Sequence, residues 1–191
     1  MTRFFIIITY FMLSSMGAEL AIYKSDSGLL GLQTKSAKTL TPAIFNKIII
    51  LPGSYAKVKK LAHWGLVDKQ GDYIAHCIYE RLSSIKSNRL RIKLNGKYGF
   101  LDKQGKQLIA PQFDQVTDFH NGTARVSIKQ KWGLINKSGK IIYPLSADGI
   151  SSFHQKIALI KKKTSYGIIN SSGLPLQECS ATQYKWLCPT L

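Results

Sequence analysis

The sequence predicts an all-β protein, an array of about five three-stranded β repeats of 34 residues each. Three observations predict it. Glycine recurs at Gly31, Gly65, Gly99, Gly133 and Gly167, always 34 residues apart. Between glycines, apolar residues alternate at period two, the mark of a half-buried strand. Apolar spacing of three and four is missing over helical lengths, although helical tetratricopeptide arrays share the period. Two glycines per unit would each cost a helix about 1 kcal/mol.

The elements follow in chain order. Residues 1–18 read as a signal peptide: Arg3 makes a positive start, Phe4 to Leu13 are apolar, and Ser14 to Ala18 are small. Export to the periplasm or the extracellular space is expected. The apolar stretch is shorter than the roughly 20 residues of a spanning helix, so no membrane span is expected in the mature chain. Residues 19–179 form the array, with units at about 22–55, 56–89, 90–123, 124–157 and 158–179. Residues 180–191 are a tail or cap.

Within a unit, Leu30, Trp64, Tyr98, Trp132 or Tyr166 precedes the first glycine. Six residues after that glycine stands a second one, Gly71, Gly105, Gly139 or Gly173, with Ala37 in its place in the first unit. Asp68, Asp102, Asn136 and Asn170 lead into it, which is turn chemistry. A strand resumes and ends near Pro111 or Pro144. A further column holds Phe45, Tyr79, Phe113 and Ala147, followed by Asn46, Glu80, Asp114 and Asp148. The third strand alternates Ala56 with Val58, Leu90 with Ile92, Ala124 with Val126, and Ala158 with Ile160.

The run from Lys131 to Pro144, Lys-Trp-Gly-Leu-Ile-Asn-Lys-Ser-Gly-Lys-Ile-Ile-Tyr-Pro, resembles the core of the bacterial WG-repeat family, the Trp-Gly or KWG type. The resemblance extends over about residues 22–179. It implies an all-β array used for binding and carries no common ligand or reaction. One such unit cannot bury its apolar face alone, so neighbours stack. The stack is open and curved like a solenoid, or closed like a propeller; both arrangements satisfy the repeat. The aromatics before the glycines are expected to pack between units. Gly133→Val is expected to lose a special backbone conformation and to crowd that contact.

Chemistry is sparse. Cys77 has apolar neighbours and reads as a buried thiol, while Cys179 and Cys188 bracket a short segment and are the candidate disulfide. His120 and His154 share a repeat position, and Asp114 and Asp148 share another. Neither column has the spacing of a metal or catalytic motif, so no enzyme, cofactor or metal is expected. The aspartates read as local turn devices.

Charge is the strongest functional cue: 27 Lys and Arg stand against 10 Asp and Glu, a formal +17. Alternation in the third strand directs Lys57, Lys59, Arg91, Lys93, Arg125 and Lys161 away from the apolar side. They are expected to stack into a basic stripe on an outer face, with Lys97, Lys129, Lys131 and Lys163 near its end. Such a surface suits an acidic protein or another polyanion. The leading expectation is an exported, non-catalytic binding protein of the bacterial envelope, an immunity or inhibitor protein with an acidic partner. A surface module for anionic lipid or glycan is the alternative. Export disfavours nucleic acid.

Overall fold

A computed structural model of the chain describes residues 20–179, with side chains through residue 176. The expected signal segment 1–18, the tail 180–191 and the Cys179–Cys188 pair lie outside that description. Every described element is a strand, and the chain divides into two units at Ser84.

In the first unit, β1 (Leu20–Lys24) and β2 (Leu30–Thr34) make an antiparallel pair. Next come β3 (Lys47–Leu51), β4 (Tyr55–Lys60), β5 (His63–Val67) and β6 (Tyr73–Tyr79), a four-stranded antiparallel meander. The short β7 (Arg81–Leu82) ends the unit. Leu20, Leu32 and Phe45 pack on Ile48, Ala56, Val58 and Val67, so the core lies between the β1–β2 pair and one face of the meander.

The second unit starts with β8 (Arg89–Leu94), β9 (Lys97–Asp102) and β10 (Gln107–Phe113), which pair in sequence order. It continues with β11 (Gln115–Val116), β12 (Thr123–Ile128), β13 (Lys131–Asn136) and β14 (Ile141–Ala147). A last sheet holds β15 (Gly149–Ile150), β16 (Ile157–Lys162), β17 (Ser165–Asn170) and β18 (Pro175–Cys179). The β11–β14 and β15–β18 sheets are four-stranded meanders. Four strands replace the expected three because the column of Ile48, Val116 and Ile150 pairs as a strand of its own. Each four-stranded meander thus draws its first strand from the sequence unit before it.

The sheets of the second unit stack face to face. Phe100, Ile109 and Phe113 of one sheet meet Ala124, Val126 and Ile135 of the next. One repeat later, Leu134, Tyr143 and Ala147 meet Ala158, Ile160 and Ile169. The β11–β14 sheet is therefore covered on both faces, and alternation along β12 divides residues between two interfaces. At the second interface the large side chain has moved: Ile109 and Phe113 become Tyr143 and Ala147, so bulk lost at one position returns four residues earlier.

The two glycine columns do different work. Gly133 has ordinary backbone angles, contrary to the special conformation expected there. A Cβ on it would stand 2.7 Å from the Tyr143 carbonyl oxygen and 3.0 Å from the Leu145 nitrogen. It is small because the irregular strand around Pro144, in its own sheet, presses on it. The second column carries the positive φ, as at Gly139 with φ 85°. A Cβ there would meet Ile109 Cγ1 of the preceding sheet at 3.0 Å. Contact between repeats thus constrains the second column rather than the first. Asp68, Asp102, Asn136 and Asn170 each accept backbone N–H bonds from two and four residues ahead, which holds those turns.

Candidate functional site

Strand register decides where the expected basic stripe goes. In the β11–β14 sheet the face opposite the β12 core residues is the surface that receives the next sheet, so that sheet has no outer face for a stripe. Arg125 is half-buried and reaches across that interface. Its Nη1 donates to the Ile150 carbonyl at 2.6 Å and its Nη2 to Ser152 Oγ at 3.3 Å. Arg91, one repeat earlier, donates to the Val116 carbonyl at 3.5 Å and pairs with Asp118 at 3.3 Å, a carboxylate that Lys86 also holds. These two arginines bolt sheet to sheet, and the expectation that they point outward is corrected accordingly.

The lysines of the stripe lie over aromatic rings. Register places Lys59 opposite Trp64, Lys93 opposite Tyr98 and Lys161 opposite Tyr166. Their ammonium nitrogens stand 5.7, 5.6 and 5.9 Å from the ring centroids. Lys57 covers Trp64 as well, at 4.7 Å. Cation–π attraction of this kind contributes about 0.5–1 kcal/mol at an exposed site. The expected packing of the pre-glycine aromatics between units holds for Trp132, which packs against the core between the last two sheets. Trp64, Tyr98 and Tyr166 lie beneath their lysines.

The strongest concentration of charge is at the hairpin tips of the second unit. The β8–β9 tip is Asn95-Gly96 and the β12–β13 tip is Lys129-Gln130, both at positive φ, as two-residue hairpins require. Lys163 occupies the β16–β17 tip at φ 52°. Asp114 accepts from Lys97 Nζ and from the Lys129 backbone N–H, so it spans the tips of consecutive sheets. Asp148 repeats the arrangement with Lys131 Nζ and the Lys163 N–H. The Lys97 ammonium, followed by the Lys129 N–H, holds the Asp114 carboxyl below its ordinary value; Lys131 and Lys163 do the same to Asp148. The aspartates are therefore turn devices, but for a hairpin 15 residues downstream rather than for their own segment.

Those contacts line the tips up along one edge. Lys97, Lys129, Lys131, Lys161 and Lys163 gather there around Asp114 and Asp148. Lys162, which the sequence pattern does not mark, has the same strand parity as Ala158 and Ile160, and its ammonium stands 5.5 Å from the centroid of the Tyr143 ring. Elsewhere, His120 and His154 close short loops through backbone bonds to Thr123 and Ile157, and both are exposed. Among the described residues no three His, Cys, Asp or Glu side chains come together as a metal site. Cys77 is half-buried, with burial pushing its thiol up. No helix of the described residues is long and apolar enough to cross a membrane.

Residues 64–98, 98–132 and 132–163 match the sequence pattern of the WG containing repeat family, over more than half of the chain. No curated protein matches the chain by sequence. Among solved structures, it is similar to a crystal structure of the eukaryotic initiation factor, at 14% identity and a TM-score of 0.50 over 87% of this chain and 52% of that one. It is also similar to Kluyveromyces lactis Hsv2p, at 10% identity and a TM-score of 0.44 over 84% of this chain and 60% of that one. The chain thus spans between half and two thirds of their lengths, and likeness at such identity speaks to the fold alone.

Proposed function

The chain belongs to the WG-containing repeat family, and from its lysine-rich edge we propose a non-catalytic binding protein that works outside the cytoplasm on an acidic protein partner. An inhibitor or immunity protein of the bacterial envelope is the concrete form of that reading. The observation that carries it is the row of hairpin tips in the second unit. Five lysines meet two aspartates there, and both aspartates are already engaged in holding the tips in place. Fixed tips present their ammonium groups in a set order, which favours a partner with a matching acidic face over a featureless polyanion.

The test is capture from envelope extract by the full chain at moderate salt. Lys129→Gln and Lys163→Gln together should abolish recovery of one stoichiometric acidic protein without lowering the melting temperature. Charge changes at Arg91 or Arg125 would not serve, because they would unbolt the sheets. Unchanged capture by this double variant would refute the assigned edge. Recovery of anionic lipid or glycan in place of a protein would favour the surface-module reading.

A further inference from the structure

A second cluster of cations stands apart from the hairpin-tip edge, within the first unit. Strand register builds it. Lys47 lies opposite Lys59 across β3 and β4, Lys59 opposite Trp64 across β4 and β5, and Trp64 opposite Tyr79 across β5 and β6. Residues directly opposite share a face, so Lys47, Lys59, Trp64 and Tyr79 form one row across the sheet. Lys57 is two residues before Lys59 on β4, hence on the same face, and it also covers the Trp64 ring.

Like charges directly opposite one another destabilise a sheet, yet three lysines are brought together here. Burial and the neighbouring Lys47 ammonium lower the pKa of Lys57. Among the described residues none of the three makes an ion pair. The Asp68 carboxylate is committed to its own turn, accepting from the Gln70 and Asp72 N–H groups. The Trp64 ring offsets part of the repulsion from one side and leaves the remaining donors of the ammonium groups for a ligand.

We propose that Lys47, Lys57 and Lys59 form a binding site for a phosphate group beside Trp64. Three cations are matched better by a dianion than by a single carboxylate, and phosphate offers several strong acceptor oxygens to donors that converge from two strands. Trp64 acts as the wall of the site and its reporter. The site is independent of the acidic-partner edge, because it uses a different unit and different lysines.

The experiment titrates the full chain with inorganic phosphate and, separately, with methyl phosphate, while the Trp64 indole N–H resonance is followed by NMR. At about pH 7.5, where phosphate is largely the dianion, the signal should shift saturably; at about pH 5 binding should weaken. Lys57→Gln with Lys59→Gln should weaken binding by about tenfold or more, whereas Lys35→Gln, on an exposed turn of the same unit, should not. Bound phosphate should also raise the Lys57 pKa in the parent protein, a readout that needs no substitution. Tighter binding of the ester assigns the site to a phosphate carried on a larger molecule, and equal binding assigns it to free phosphate. A non-saturating shift, or equal affinity in the double variant and the parent, overturns the proposal. Capture of the acidic protein by the second unit should survive Lys57→Gln and Lys59→Gln, so failure of either reading is seen separately.

Discussion

Replacing Ala37 with glycine should strengthen the first unit by about 0.5–1 kcal/mol, and the backbone dictates the sign. Ala37 stands where the later repeats have Gly71, Gly105, Gly139 and Gly173, and it adopts φ 63°. Its turn is otherwise the same: the Ala37 N–H donates to the Thr34 carbonyl, and Thr34 Oγ1 accepts from the Lys38 N–H. A side chain in the left-handed region costs about 1–2 kcal/mol. Glycine gives back about 0.4–1 kcal/mol through the greater freedom of its unfolded chain. The Ala37 methyl is exposed, so its loss removes little packing. The difference favours glycine. Native-state hydrogen exchange at the Ala56 and Val58 amides would read the opening of the first unit, and exchange should slow by about two- to fivefold. Faster exchange in the variant would refute the reasoning, since it is what glycine does at any position with ordinary angles.

Three further outcomes follow from the same contacts. Gly133→Ala should cost about 1–3 kcal/mol by forcing the β14 backbone outward, seen as a lower melting temperature; a parent-like melt would mean that the Tyr143 carbonyl yields freely. Arg125→Met should cost about 1–3 kcal/mol because the Ile150 carbonyl loses its donor inside the interface, and Arg125→Lys should recover only part of it in chemical denaturation. The pH dependence has a definite sign. Asp114 and Asp148 have folded pKa values below the ordinary 3.8, so their contribution is complete above that value and is lost as pH falls through the depressed one. Exchange of the Lys129 and Lys163 amides, corrected for intrinsic rates, should therefore accelerate only below about pH 4.

Much of this architecture can be read from the chain, and the gaps have physical causes. The glycine, Asp/Asn and aromatic columns are local, repeated and fixed by turn geometry, so they announce the strands and their period. Alternation along Leu90, Ile92, Ala124 and Val126 shows which residues share a face. It does not reveal whether the opposite face meets water or another sheet. Arg91 and Arg125 read as outward from sequence alone for that reason: in a stacked array their side of the strand is an interface, and a guanidinium long enough to reach a neighbouring carbonyl replaces an apolar contact there. Asp114 and Asp148 act on tips 15 residues downstream, a pairing that no local spacing encodes. The lysine-rich edge is likewise built by stacking, since Lys97, Lys131 and Lys163 come together only once the three sheets of the second unit are aligned.

The offset between sequence unit and sheet has a consequence for how such a chain can change length. Because β11 and β15 are each borrowed from the unit before, neither of their sheets is encoded by one uninterrupted copy of the 34-residue pattern as the glycines divide it. A duplication or excision of one whole period nevertheless rejoins equivalent residues wherever the break falls. The lender and the borrower are changed together, and every sheet between the break points keeps its full set of strands. Loss of a partial period would strand a lender without its borrower and expose an unpaired edge. Growth by whole steps is thus tolerated at any breakpoint, and growth by fractions is penalised at all of them.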